Sequence, residues 1–232
     1  MKWTRIDATR WIVVSGLIVG PALLAASVLI NLTPPGESMR ADFDTMAQRS
    51  GLIVAEALLE TIGFTIVLAC FAGASHALRA HGGALGTWGA ALSITGIVGF
   101  SFSNANGFTL AELAQLPDRD AAFGTAMAIT SSETAALTST IGTAMEVLGQ
   151  IGILLVIGGL MRAHIVRIWP LLIVVVGMIV NVVIGMMLTT LIADLLLLAA
   201  STWIAVRLAR CDRDAWLGAA GVTRAEPVEV SV

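Results

Sequence analysis

The segment from Pro170 to Val206 constrains the fold most, because it carries a single ionisable side chain, Asp194. As one continuous helix it would be about 55 Å long at 1.5 Å per residue. The hydrocarbon core of a bilayer is only about 30 Å thick. We therefore expect the segment to fold back near Gly185–Thr190 and to form two consecutive membrane spans.

Four further apolar segments precede this hairpin and are separated by polar connections. A spanning helix needs roughly 20 residues, and each of these segments has that length. The sequence thus predicts an all-α, polytopic transmembrane helical bundle of six spans. The predicted spans are 11–30, 51–73, 84–105, 139–160, 170–186 and 189–206, in a single domain 1–210 followed by a polar cytoplasmic tail, 211–232. In the longest connection, 106–138, a stretch of small residues is expected to form a helix over the bundle.

The distribution of basic residues predicts the orientation of the spans. Cytoplasmic connections of membrane proteins hold an excess of Lys and Arg. With the N-terminus inside, ten basic residues fall on the cytoplasmic side and three, Arg40, Arg49 and Arg119, on the outer side. The six tryptophans fall at or near the cytoplasmic ends of spans, where indole rings favour the interface. Both patterns predict that the N-terminus and the C-terminus are cytoplasmic.

Composition excludes several other classes of protein. Hydrophobic residues make up 57% of the chain and charged residues 12%, about half the charged share of a soluble domain. The lipid bilayer is the partner that this composition predicts. The basic residues are scattered, which predicts no binding of nucleic acid. Cys70 and Cys211 form no Cys-x-x-Cys pair, so they indicate neither a disulfide framework nor a thiolate metal site.

The residue types that hold cofactors or catalyse reactions are placed away from the predicted spans. His76, His81 and His164 lie in predicted cytoplasmic turns, and the only lysine is Lys2. A haem, a zinc ion or a Schiff base inside the bundle would therefore lack its usual ligand. No nucleophile–base pair is placed at membrane depth. The sequence predicts no cofactor and no catalytic residues, and it favours a role other than that of an enzyme.

Acidic side chains inside the predicted spans are the strongest functional signal. Charged groups at bilayer depth are costly, so they indicate a functional site. Amide side chains fall at similar depth, in the outer halves of the spans. The candidate ligand- or cation-binding residues are Glu56, Glu60, Glu146, Gln150, Asn181, Asp194 and Asn104.

These residues predict an outward-facing acidic pocket. The inner halves of spans 2 and 4 contain no ionisable residue, so the polar layer does not continue across the membrane. A buried carboxylate without a basic partner must be protonated, hydrated or bound to a cation. The pocket is therefore expected to bind a proton, a cation or a small molecule, with transport as a related activity, and the identity of any metal stays open.

A different class of function remains an alternative. Single acids near helix ends often face lipid headgroups or bond a neighbouring helix. In that case the chain is a non-catalytic membrane scaffold or a partner subunit of a membrane complex. Gly16 and Gly20, with Gly142, Gly149 and Gly152, permit close helix approach either within the chain or in a homo-oligomer.

Three segments carry a resemblance to a known family. They are PPGESMRADFDTMAQRSGLIVAEALLETIG entering span 2, AMEVLGQIGILLVIGGL in span 4 and MRAHIVRIWPLLIVVVGMI opening span 5. On this pattern and its loop lengths, the chain resembles an uncharacterised family of six-span bacterial integral membrane proteins, grouped as a domain of unknown function. The resemblance implies a bacterial plasma membrane. It implies no activity and assigns no functional residue.

Overall fold

The computed structural model describes residues 5–32, 37–78, 83–184, 187–211 and 216. These residues are almost entirely helical, and no strand occurs among them. The helices are α1 (Arg5–Ile30), α2 (Met39–Gln48), α3 (Ser50–Ala74), α4 (Gly83–Leu113), α5 (Arg119–Thr130), α6 (Glu133–Arg162), α7 (Trp169–Ile184) and α8 (Met187–Arg210), with a short 3₁₀ turn at Ser75–Leu78.

Five of these helices, α1, α3, α4, α6 and α8, are long and apolar enough to cross a membrane. The sixth predicted span corresponds to α7, which is apolar but has only 16 residues. At 1.5 Å per residue α7 is about 24 Å long, shorter than the hydrocarbon core of about 30 Å. The coarse expectation of an all-helical chain with membrane-length apolar helices is therefore confirmed, and the count of six spans stays a prediction.

The predicted fold-back lies between α7 and α8, and residues 185–186 fall outside the described part of the chain. The two helices pack along each other on either side of that point. Close to the turn, the Thr190 hydroxyl donates a hydrogen bond of 3.0 Å to the Asn181 side-chain oxygen. In a bilayer such side-chain bonds between helices replace the water that polar groups would otherwise bind.

The six longest helices form a closed ring in which each one neighbours the next. The order of packing is α4 against α6, α3 against α4, α1 against α3, α1 against α8, α7 against α8, and a sparser contact of α6 with α7. We call the end where α1 begins and α8 ends the tail end. The opposite end is the cap end.

Glycines set the close approach of α4 and α6, which form the most extensive helix pair. A Cβ atom built on Gly96 would lie 2.5 Å from the Gly149 Cα, and one on Gly152 would lie 2.6 Å from the Ser93 backbone nitrogen. Side chains at these points would separate the two backbones. Gly20 packs in the same way against Val67 of α3. In the structure these glycines therefore serve packing within the chain.

A small layer of helices covers the cap end. The helices α4 and α6 run about 46 Å and 45 Å at 1.5 Å per residue, well beyond the predicted spans 84–105 and 139–160. Their extensions, together with α2 and α5, form what we call the cap. The small-residue stretch expected to form a helix over the bundle is α5. A second hydrophobic cluster, centred on Phe43 and Ala122, holds the cap together.

Arg40 links α2 to α5 at the surface of the cap. Its guanidinium donates to the Asp120 carboxylate at 2.8 Å and to the Asp44 carboxylate at 3.3 Å, and it lies 5.1 Å from the centre of the Phe123 ring. The hydrogen bond to Asp120 raises the pKa of the Arg40 guanidinium. Solvent screens exposed ion pairs of this kind, so they contribute little to stability. The apolar cluster, not the ion pair, therefore sets the position of α5.

The outside of the bundle is apolar, and so is its core. Large apolar side chains stand exposed along the helices, among them Ile12 at 69%, Trp88 at 65% and Leu188 at 63% exposure. Soluble monomers seldom expose contiguous apolar patches of this extent. The arrangement fits a chain whose outer surface contacts lipid.

Candidate functional site

A cavity of about 130 Å³ lies inside the ring, in the half nearer the cap. All six of the longest helices contribute to its wall. Its lining residues are Leu24, Glu60, Phe64, Phe100, Glu146, Gln150, Ile153, Val174, Gly177, Met178, Asn181, Thr190, Ala193, Asp194 and Leu197. The cavity lies where α6 and α7 make few contacts with each other. It exists because side chains do not fill the space between these two helices.

Three of the four predicted acids line this one cavity: Glu60 of α3, Glu146 of α6 and Asp194 of α8. All three side chains are partly buried. Glu60 lies close enough to Glu56, Glu146 and Asp194 to interact electrostatically with each of them. The structure therefore brings the acids of three separate helices together around Glu60.

Helix geometry explains why the amides reach the same place. Gln150 follows Glu146 by four residues, and side chains at that spacing lie one above the other on a helix face. Both line the cavity. Asn181 lies three residues before the end of α7, and its hydrogen bond with Thr190 holds its side chain beside α8. Five of the seven predicted site residues thus line a single cavity.

The remaining two predicted residues, Glu56 and Asn104, are not among the lining residues. Glu56 lies one turn closer to the cap than Glu60, and its carboxylate accepts a hydrogen bond of 2.6 Å from the Asn31 amide at the end of α1. The Asn104 amide donates to the Thr61 hydroxyl at 3.0 Å and lies within interaction range of Glu60. Both residues are near the cavity and join neighbouring helices.

Sequence reasoning missed the aromatic part of the wall. Phe64 and Phe100 stack with ring centres 4.3 Å apart and both line the cavity. Phe64 follows Glu60 by four residues, so helical spacing was a usable signal for it. Phe100, Thr190 and Leu24 carried no such signal, because their places in the wall depend on how the helices pack.

The cavity has a polar part and an apolar part. Carboxyl, amide and hydroxyl groups come from α3, α6, α7 and α8, while the stacked phenylalanines and aliphatic side chains complete the wall. No Lys, Arg or His is among the described residues that line it. Within the described ranges, no set of three or more His, Cys, Asp or Glu side chains is grouped closely enough to hold a metal ion. The chemistry available is cation binding or proton exchange by carboxyl groups that have no basic side chain beside them in the described lining.

Comparison of the chain with protein families, with curated proteins and with solved structures finds no match in any of the three. The resemblance to a six-span bacterial family therefore stays a prediction.

Proposed function

We propose that the chain is a six-span protein of a bacterial plasma membrane with both termini in the cytoplasm. Five helices of spanning length and an apolar outer surface support membrane insertion. The place of α7 in the ring, packed along α8, supports a sixth span despite its length, since bilayers thin or helices snorkel to accommodate short spans. The ten-to-three bias of basic residues supports the orientation, and it puts the cap outside.

We further propose that the cavity binds a cation. The observation that carries this proposal is that Glu60, Glu146 and Asp194 line one cavity to which no described basic residue contributes. Isolated carboxylates in a poorly hydrated site are costly unless a proton or a cation compensates them. A bound cation would balance the charge that the three acids place there, and exchange with protons follows from the same groups.

The aromatic and amide side chains of the wall favour a small monovalent or organic cation. Aromatic faces attract cations, and Phe64 and Phe100 present aromatic surface beside the acids. Gln150 and Asn181 would offer neutral side-chain oxygen atoms to a bound cation without adding charge. With the cap outside, the cavity lies in the outer half of the membrane. Transport of the bound cation is the activity that we propose for the chain.

The alternative function, a scaffold or partner subunit, has one observation in its favour. Glu56 bonds Asn31 of the neighbouring helix and does not line the cavity, which is what an acid with a purely structural role would do. Glu60, Glu146 and Asp194 do line the cavity, and Glu60 also interacts with the Asn104 amide of α4. A binding measurement separates the two functions.

Alkaline phosphatase folds to an active enzyme only outside the cytoplasm, so fusions to it report on which side of the membrane each connection lies. We expect active enzyme when the fusion follows Arg40 or Arg119, and inactive enzyme when it follows Arg79, Arg162 or Arg213. Expression of each fusion, measured by immunoblot, is the control. An active fusion at Arg162 would contradict the six-span arrangement.

Thermal unfolding of the purified protein tests cation binding. Sodium, potassium and tetramethylammonium chlorides are compared at constant ionic strength, with N-methylglucamine chloride as the balancing salt. A ligand at 100 times its Kd stabilises the folded state by about 2.7 kcal/mol. We expect at least one of the three cations to raise Tm. The same rise is expected for Glu112→Gln, because Glu112 is exposed on the cap extension of α4. No rise with any of them would favour the scaffold.

A further inference from the structure

A second cavity lies in the cap, and we call it the cap cavity. It has a volume of about 220 Å³ and is lined by residues of α2, α4 and α5. It shares no described lining residue with the cavity inside the ring. On α4, Leu110 lines the cap cavity and Phe100 lines the other, and ten helical residues separate the two positions by about 15 Å. The two cavities are therefore distinct.

Aromatic rings and thioethers form the wall of the cap cavity. The Phe43 and Phe123 rings, from α2 and α5, lie edge to face with their centres 5.5 Å apart. Met39, Met46 and Met127 add three methionine side chains, of which Met39 is 68% and Met127 36% exposed. Unbranched, polarisable methionine side chains adapt to ligands of irregular shape. A ligand that covers them removes apolar surface from water, which is favourable.

An acidic group completes the wall of the cap cavity. Asp42 is the only ionisable residue among the described residues that line it. In the described stretches 37–49 and 110–133, which contain the cap, acidic residues outnumber basic ones by seven to three. Such an excess of one sign attracts ligands of the opposite charge. A ligand that matches both the wall and the charge is therefore apolar and positively charged.

One ring of this wall is already in contact with a cation in the structure. The Arg40 guanidinium lies 5.1 Å from the centre of the Phe123 ring. The negative face of an aromatic ring attracts cations. Arg40 does not line the cap cavity, and its charge is balanced by ion pairs with Asp44 and Asp120. Arg40 therefore adds little net charge that would oppose a second cation beside these rings.

We propose that the cap cavity binds an amphipathic organic cation, in which an aromatic or branched apolar group carries a quaternary or protonated amine. The apolar group would lie against the phenylalanine and methionine side chains, and the amine would lie toward Asp42. An inorganic cation would leave the apolar wall in water, and a neutral apolar ligand would gain nothing from Asp42. The proposal rests on the structure of the cap and does not depend on what the cavity inside the ring binds.

The methyl resonances of methionine locate the bound ligand. The protein has nine methionines, each with one S-methyl group that isotope labelling makes visible by NMR. Replacing each methionine in turn by leucine assigns the resonances. Met39, Met46 and Met127 report on the cap cavity, and Met178 reports on the cavity inside the ring. The probe is phenyltrimethylammonium, titrated into the purified protein in detergent micelles.

We expect phenyltrimethylammonium to shift the resonances of Met39, Met46 and Met127 in a saturable way. The neutral molecule 2-phenyl-2-propanol has nearly the same shape and should bind roughly fivefold more weakly, because it lacks the charge. Asp42→Asn should raise the Kd of the cation by a similar factor, about fivefold. Glu37→Gln removes the same charge from an exposed cap residue outside the lining, and it should change this Kd by less than about twofold.

Three results would overturn the proposal. The first is the absence of a shift at Met39, Met46 and Met127, including the case in which Met178 alone responds. The second is an equal Kd for the cation and the neutral molecule, or an unchanged Kd in Asp42→Asn. The third is a shift of all nine resonances without saturation, which would show partition into the micelle. Because Met178 responds to the cavity inside the ring, failure of the cap cavity is distinguishable from failure of the cation site proposed there.

Discussion

Gly152→Ala is expected to destabilise the bundle by overpacking the contact between α4 and α6. The new Cβ atom would lie 2.6 Å from the Ser93 nitrogen and 2.7 Å from the Gly89 carbonyl oxygen. These are backbone atoms, which cannot rotate away, so α4 and α6 must separate. Overpacking of this kind costs about 1–3 kcal/mol, and occasionally more.

The matched control for this prediction lies in the same helix. A Cβ atom added to Gly158 of α6 would meet no heavy atom within 4 Å outside its own helix and chain neighbours. Gly158→Ala should therefore leave Tm unchanged or raise it, since alanine is the better helix former by about 1 kcal/mol. Thermal unfolding in one detergent measures both variants. Equal losses of Tm would mean that α4 and α6 do not meet through Gly152.

Glu60→Gln is expected to have the largest effect on cation binding. Glu60 is the acid that interacts with the other three, and glutamine fills the same space without the charge. A lost interaction with a charged group is worth about 1.5–3 kcal/mol. Because each 1.4 kcal/mol is tenfold in affinity, the Kd should rise by roughly ten- to a hundredfold. Calorimetric titration with the cation that raises Tm most gives this value.

Glu56→Gln is the comparison that makes this result specific. The two acids lie one turn apart on α3, but Glu56 bonds Asn31 and does not line the cavity. Its replacement should change the Kd by less than about threefold, as expected for a group outside the site. If the two variants weaken binding equally, the cation is held by the acidic layer as a whole and not by the cavity.

The residue pattern predicted much of the site because helical spacing is a local property. Gln150 follows Glu146, and Phe64 follows Glu60, by a step that keeps side chains on one face. Glu56 and Glu60 have the same four-residue spacing, yet only Glu60 lines the cavity. A four-residue step rotates by about 40° and rises about 6 Å, enough to move a side chain from the cavity to a contact with α1.

Helix ends and tertiary contacts were less predictable. Hydropathy ends span 3 at residue 105, yet α4 continues to Leu113, and its last turn packs against the apolar cluster of the cap. The burial of Trp216 left no periodic pattern in the sequence. It arises from the position of the end of α8 beside α1 and the turn at His76, which only the assembled bundle defines.

Residue-resolved labelling with dicyclohexylcarbodiimide tests the cation site most directly, because this reagent modifies protonated carboxyl groups in apolar surroundings. Peptide mass spectrometry then locates each modified acid. We predict modification of Glu60 or Asp194 that is slowed by the cation that raises Tm, with N-methylglucamine giving no protection. Modification at equal rates with and without that cation, or confined to acids outside the cavity, would contradict the proposal that these carboxyl groups hold a cation.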